Sequence, residues 1–220
     1  MFVGAAIKEL RDPVVPALVS LVRHYTMVAV AQQSGAFAYS PKPNKQITLD
    51  PLVLVDALAI IMGHEERELC KPGHLGLVLI VDTASTLLGS REMACRLPLI
   101  EYLSEKMCSL CYERAWYAKL GGCIAIKFMF ERCALKWVYE HMFMFLKALL
   151  FVMMDLTGEV SSGALDMAKD NLQKMLIVCV TPPPDGSDQQ TKDLQNEALH
   201  KVTHELVRQV TSPHTMVREQ

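Results

Sequence analysis

The sequence has few aromatic residues, no large excess of charge of either sign and few strand-like stretches. Aromatic residues make up 7% of the 220 residues, and 22 basic against 24 acidic side chains give a net charge of −2. A nearly neutral chain has no general electrostatic attraction to nucleic acid or to an anionic membrane. Because 51% of the residues are apolar, the chain can bury a substantial core, which argues against a disordered protein.

A secretory signal and a membrane span are not expected. Residues Met1–Gly4 have neither the basic nor the apolar segment of a secretory signal. A transmembrane helix needs roughly 20 mostly apolar residues. The two best candidates, Phe143–Leu156 and Leu75–Leu88, are shorter and contain the charged residues Lys147 and Asp82. We therefore expect both stretches to be helices buried in protein.

The cysteines are odd in number and lie mostly in apolar stretches that have helical spacing. With no secretory signal before them, we expect reduced, buried thiols in the cytosol or the nucleus. The seven are Cys70, Cys95, Cys108, Cys111, Cys123, Cys133 and Cys179.

Helix signals occur along the whole chain. A capping oxygen followed by a proline predicts a helix start, and a glycine after an apolar run predicts a helix end. The starts are Asp12-Pro13, Asp50-Pro51 and Ser212-Pro213, and the ends are Gly35, Gly89 and Gly158. Apolar residues three or four apart predict one buried stripe per helix. The stripes are Ile100, Leu103, Met107 and Leu110; Leu165, Ala168, Leu172, Met175 and Cys179; and Leu194, Ala198, Val202, Leu206 and Val210.

The predicted helices form pairs that repeat. The first helices lie near 51–69, 97–112, 141–156 and 191–211, and their starts are about 44 to 50 residues apart, close to the ~40–47 of HEAT and armadillo repeats. The second helices lie near 73–89, 115–132 and 161–180, with another opening at Pro213 and an earlier one at 13–33. One pair cannot bury its stripe alone. The sequence thus predicts an all-α, HEAT/armadillo-like α-solenoid of stacked antiparallel helix pairs in a right-handed superhelix.

We expect residues 1–220 to form a single segment of this solenoid. Residues 34–49 and 181–190 are rich in proline and polar residues and are predicted to be loops, the second of them mobile. Because the last predicted helix has scarcely opened when the sequence ends, we expect the chain to be a fragment of a much larger protein.

Four groups of residues have some of the features of a chemical site. Cys108 and Cys111 have CxxC spacing but no second ligand pair for zinc, and His200 and His204 share a helix face without a third ligand. Gly121-Gly122 and the Gly73/Gly76 pair match no phosphate-binding fingerprint and favour close helix contact instead. We therefore predict no catalytic, cofactor-binding or metal residue, no cofactor, and no small-molecule substrate.

The most basic stretch could contact nucleic acid, because cations and aromatic residues are mixed there. Glutamates are interleaved with them, so we interpret the stretch as a solvated face of mixed charge. Its residues are Arg114, Trp116, Tyr117, Lys119, Lys127, Arg132 and Lys136, with Glu113, Glu131 and Glu140 between them.

Long strings of the sequence resemble a known family. The strings Arg96–Lys127, Phe145–Val160 and Val202–Pro213, with the segment around Leu21–Thr26, are similar to the N-terminal HEAT region of a pseudokinase of the phosphatidylinositol-3-kinase-related kinase family. The resemblance implies a very large protein of helical repeats that ends in a kinase-like domain without catalytic residues.

The resemblance also implies a function and partners. It implies a nuclear, non-enzymatic scaffold in SAGA-type and related histone acetyltransferase complexes, which links transcription activators to chromatin acetylation. The expected partners are activators and complex subunits, with no direct nucleic acid and no membrane. No short motif identifies partner-binding residues. The alternative is a HEAT solenoid that contacts nucleic acid or acts in transport.

Overall fold

The computed structural model describes residues 1–33, 49–155 and 163–211, and no strand occurs within these ranges. The all-α prediction is confirmed. The helices are α1 (Phe2–Ala6), α2 (Arg11–Gln33), α3 (Leu52–Met62), α4 (Cys70–Leu88), α5 (Arg91–Cys95), α6 (Pro98–Ser109), α7 (Trp116–Arg132), α8 (Leu135–Asp155), α9 (Ala164–Val180) and α10 (Gln189–Val210), and 3₁₀ turns lie at Arg67–Leu69 and Leu110–Tyr112.

The chain divides into two compact units, Met1–Met107 and Cys108–Gln220. In the first unit, α4 packs against α2, α3 and α5. In the second unit, α7 packs against α9, and α8 packs against both α9 and α10. In the second unit, the second helices of two neighbouring pairs, α7 and α9, therefore lie side by side. The first helices of two neighbouring pairs, α8 and α10, do the same. This is the packing of neighbouring helix pairs that the repeat period predicts.

Glycines allow α4 to lie close to α3. A Cβ atom on Gly73 would lie 2.7 Å from Met62 Sδ, and one on Gly76 would lie 2.6 Å from Leu58 Cδ2. The later glycine, Gly76, meets the earlier residue of α3, Leu58, and Gly73 meets Met62. The two helices therefore run antiparallel. Leu58 and Met62 are fully buried at this contact. The interpretation of Gly73 and Gly76 as close-packing residues is confirmed.

Two of the predicted capping signals are confirmed, whereas the Asp12-Pro13 start is wrong, because α2 already begins at Arg11. Gly89 follows α4 with φ +79°, the left-handed conformation expected of a terminating glycine. Asp50 Oδ1 accepts a hydrogen bond from the Leu52 backbone N–H at 2.9 Å, so the Asp50-Pro51 start is confirmed to within one residue. The signals at Gly35, Gly158 and Ser212-Pro213, and most of the 34–49 loop, lie outside the described residues.

Five predicted helices had a boundary that was wrong by three residues or more, among them the helix near 73–89, which begins at Cys70, and the helix near 161–180, which begins at Ala164. The helix near 141–156 begins at Leu135, because Trp137, Val138 and Tyr139 are buried in the core. The helix near 51–69 ends at Met62, and the exposed polar run 64–66 separates it from a 3₁₀ turn. The helix near 97–112 ends at Ser109 and tightens into the 3₁₀ turn that follows. The short helices α1 and α5 were not predicted.

The buried face of α10 is rotated from the predicted stripe. Ala198 and Val202 are buried as expected, but Val210 is exposed, and Leu194 and Leu206 are half-buried. Glu205 is buried instead and contacts Arg208 and Gln209 through its carboxylate oxygens. The prediction failed because a glutamate whose charge is paired can take a position that an apolar pattern assigns to leucine.

Among the described residues, α2 and α8 are long and apolar enough to cross a membrane by length and composition alone. Core helices of soluble proteins meet the same criterion, and over half of the most apolar window of α8 is buried within the protein.

The α3–α4 contact provides a stability test. We expect Gly76→Leu to lower the free energy of unfolding by about 1–3 kcal/mol, because the new side chain must displace Leu58. Thr86→Leu, on an exposed position of the same helix, is the control and should change it by less than about 0.5 kcal/mol. Urea unfolding followed by circular dichroism measures both, and equal midpoints would contradict the close contact.

Candidate functional site

The CxxC cysteines lie at the end of α6 and in the turn that follows it. Cys108 is in the last turn of α6 and Cys111 is in the 3₁₀ turn. A Cβ atom on Gly122 would lie 2.6 Å from Cys111 Sγ, so α7 packs directly on this thiol. Burial raises the pKa of the Cys108 thiol, and a hydrogen bond with Cys111 together with burial raises that of Cys123. These thiols are held in their neutral form, which does not favour metal binding or nucleophilic attack.

The two histidines on α10 are exposed to solvent. His200 and His204 lie on the outer side of the helix, whereas Glu205, which follows, is buried and paired with Arg208. In the part of the chain that the structure describes, no group of three or more His, Cys, Asp or Glu side chains is placed to hold a metal ion.

The basic stretch is not one solvated face, so that interpretation was wrong for Lys119. The Lys119 side chain is 1% exposed. Lys136 pairs with Asp188 at 2.6 Å and also donates to Gln190 Oε1. Two of the cations that a nucleic-acid groove would use are thus engaged in ion pairs within the chain, Lys119 in the interior and Lys136 at the surface.

Lys119 fixes the start of α7 to the end of α8. Its Nζ donates to the Glu113 backbone carbonyl and lies 2.9 Å from Asp155 Oδ2, while the Phe151 ring centroid is 5.5 Å away. A buried ammonium group is stable only when its donors are satisfied. These contacts provide an acceptor, a counter-charge and an aromatic face, and they hold the turn before α7 in place.

Above this cation lies a small apolar surface made by two separate elements. Tyr112 comes from the 3₁₀ turn, and Phe151 and Met154 come from the last turns of α8; we call these three residues the Tyr112 patch. They are 47%, 37% and 41% exposed, and the Tyr112 and Phe151 rings lie 5.0 Å apart. Of the three, Phe151 lies against Lys119, and the Tyr112 ring lies against Phe151. Large exposed apolar side chains that are held rigidly are typical of protein-binding surfaces.

The Tyr112 patch has no motif in the sequence that predicts it. Tyr112 and Phe151 are far apart in the chain and share no motif. The run from Phe143 to Met154 is apolar on nearly every side of its helix. An all-round apolar helix is expected to be buried, so the exposure of Phe151 and Met154 departs from the prediction for this stretch.

Thiol reactivity tests the burial of the cysteines. Cys70 is half-buried and the other six are buried, so we expect one thiol to react quickly with Ellman's reagent and six to react only after denaturation. Mass mapping of the first adduct should identify Cys70, and rapid labelling of Cys108 or Cys111 would contradict the structure.

The Lys119 contacts predict an asymmetry between two substitutions. Asp155→Asn leaves a buried ammonium without its counter-charge and should lower the free energy of unfolding by about 2 kcal/mol, less than for a fully buried pair because Asp155 itself is 46% exposed. Lys119→Met replaces the cation with an apolar chain and should change it by less than about 1 kcal/mol. Thermal and urea unfolding measure both.

Asp170→Asn is the matched control for Asp155→Asn. It removes one partner of the exposed Asp170–Lys174 pair, which is 2.8 Å apart, and should cost less than about 1 kcal/mol. The account of Lys119 would be wrong if the two Asp→Asn variants lost equal stability.

Comparison with known proteins places the chain. All of residues 1–220 match the family model described as the Tra1 HEAT repeat ring region. Over all of its 220 residues, the chain is 52% identical to the transformation/transcription domain-associated protein of Danio rerio and 50% identical to that of Homo sapiens. It is 25% identical, over 99% of its length, to a protein of Saccharomyces cerevisiae named SAGA complex/NuA4 acetyltransferase complex subunit TRA1.

The chain spans about 6% of the length of each of these relatives. The resemblance to the HEAT region of a much larger protein is therefore confirmed, and so is the HEAT solenoid as the fold class. On the match to its full length, the chain belongs to the Tra1 family and corresponds to the family's HEAT repeat ring region.

Proposed function

We propose that this chain is a non-catalytic scaffold segment of a transcription coactivator subunit in histone acetyltransferase complexes. The observation that carries the proposal is the match of all 220 residues to the Tra1 HEAT repeat ring region. Helical-repeat segments of this kind offer extended surfaces for partners, with no need for a reaction centre. The name of the yeast relative supports complex subunits of the SAGA and NuA4 type as partners, and hence a nuclear location.

The titratable groups support a role without catalysis. A general acid needs a carboxyl with a raised pKa, and a nucleophilic cysteine needs a thiol with a lowered pKa. Among the described residues, the carboxyl pKa values that shift are lowered and the thiol pKa values that shift are raised. Hydrogen bonds to nearby cations lower the pKa of the carboxyls Asp56, Glu68, Asp170, Asp188 and Glu205. Burial raises the pKa of the Cys70 thiol, and raises that of Cys179 to about 11.

The Tyr112 patch is the surface at which we propose that a transcription activator docks. Lys147 lies one helical turn before Phe151 on the same side of α8, and its Nζ is 4.8 Å from the Phe143 ring centroid. The patch thus combines aromatic and Met side chains with an exposed cation. An acidic-hydrophobic activation segment has complementary chemistry, with apolar anchors for the patch and carboxylates for Lys147.

The alternative is a solenoid that contacts nucleic acid or acts in transport. The residue arrangement gives a nucleic-acid role little support, because Lys119 and Lys136 are occupied by Asp155 and Asp188. A DNA titration at two salt concentrations distinguishes the two functions, since phosphate contacts weaken steeply with salt. We expect no salt-dependent binding.

A peptide titration tests the docking surface. We expect an acidic-hydrophobic activation peptide to shift the NMR signals of Met154 and its neighbours, and Tyr112→Ala/Phe151→Ala to weaken binding by roughly tenfold or more. Val207→Ala/Val210→Ala removes exposed apolar atoms from α10 and is the control, for which we expect unchanged affinity. Equal affinity of both double variants would show that the peptide binds elsewhere or not at all.

Co-purification tests the scaffold role separately. When a full-length Tra1-family protein that contains this chain is isolated from nuclei, we expect acetyltransferase complex subunits to accompany it. If none of them does, the scaffold proposal fails even if the peptide binds.

A further inference from the structure

Three consecutive prolines between α9 and α10 form an extended segment with a fixed backbone. We call Thr181–Pro184 the proline segment. Proline fixes its own φ near −65° and restricts the residue before it to extended conformations. Thr181, Pro182 and Pro183 each precede a proline, and Thr181 has φ −74° and ψ 126°. These values are close to those of a polyproline II helix.

The N-terminal end of the proline segment is held by a buried side chain of α10. Gln195 is 8% exposed, and its Nε2 donates to the Cys179 carbonyl at 3.0 Å and to the Thr181 carbonyl at 2.6 Å. The Thr181 hydroxyl donates to the Ile177 carbonyl at 2.7 Å. The direction in which the chain leaves α9 is therefore fixed.

The C-terminal end is held just as firmly. Ser187 N–H donates to the Pro184 carbonyl at 3.0 Å, which closes a turn with Gly186 at φ +85°. Asp188 then caps α10 by accepting from the Thr191 N–H and pairs with Lys136 on α8. The predicted loop 181–190 thus ends at Asp188, two residues early, because this cap starts the helix at Gln189.

Between these two anchors the proline segment faces solvent. Polyproline II has three residues per turn. Pro183 is half-buried, whereas Thr181, Pro182 and Pro184 are exposed, so one edge lies on the protein and two edges are open. Among the described residues, no hydrogen bond reaches the carbonyls of Pro182 and Pro183.

We propose that the proline segment is a preformed ligand for a proline-recognition domain with an aromatic-lined groove and a basic rim. Such grooves accept exposed proline rings and donate hydrogen bonds to free carbonyls of a polyproline II helix. The two anchors reduce the ordering cost of binding, because the segment is already held in the bound shape. Asp185 is exposed directly after the segment, and Asp188 is neutralised by Lys136, so Asp185 supplies the charge for a basic rim.

This surface lies on a different part of the second unit from the Tyr112 patch. Binding of a proline-recognition domain to the proline segment does not depend on a role in acetyltransferase complexes. This proposal and the scaffold proposal can therefore fail independently.

The test uses the whole 220-residue chain against purified SH3, WW and EVH1 domains, with affinity measured by isothermal titration calorimetry. We expect at least one of these domains to bind, and Pro182→Ala/Pro184→Ala to weaken that binding by at least about tenfold. Asp185→Lys should also weaken it, and added salt should weaken binding of the parent but not of this variant.

Pro13→Ala/Pro16→Ala is the matched control, since both prolines are exposed and lie in α2. It removes the same number of prolines and should leave the affinity unchanged. Circular dichroism should be the same for the unmodified chain and for the variants of Pro182, Pro184 and Asp185, because these substitutions lie outside the helices. The proposal is overturned if none of the domains binds, or if Pro182→Ala/Pro184→Ala binds as tightly as the parent.

Discussion

Burial of helix faces against neighbouring helices is the interaction on which the rest of this structure depends. Full burial of a leucine such as Leu58 or Leu77 contributes about 1.5–3 kcal/mol, and only an adjacent helix can provide that burial. Gly76 and Gly122 set how closely the helices approach, because each leaves space that a neighbouring side chain fills. With their inner faces used in this way, the helices offer only outer faces and connecting segments to other molecules.

Polar residues in the interior keep this packing in register. Asn171 on α9 donates to the Cys123 carbonyl on α7 at 2.8 Å, and Gln195 on α10 donates to two carbonyls at the end of α9. Each of these side chains satisfies backbone groups that would otherwise be costly to bury. Lys119 does the same with a full charge. Contacts of this kind lie next to both surfaces at which we propose binding, with Lys119 against Phe151 and Gln195 at the Thr181 carbonyl.

Much of the fold could be predicted from the sequence, since helix periodicity and capping are local. The Ile100, Leu103, Met107 and Leu110 stripe is buried as expected, and Gly89 ends α4. The Tyr112 patch could not be predicted, because it depends on which apolar residues the core leaves uncovered. The same limit explains Lys119, whose burial depends on an aspartate 36 positions away in the chain, and Glu205, which takes the position expected for Leu206.

Hydrogen–deuterium exchange tests most directly whether this chain acts through its surfaces. It compares a full-length Tra1-family protein that contains this chain, alone and in its acetyltransferase complex. The buried faces of α4 and α8 should exchange slowly in both states, because their stability comes from helix packing. Assembly or activator binding should slow exchange at surface segments, above all at 110–112 and 151–155. Unchanged exchange in every segment of this chain would contradict the account.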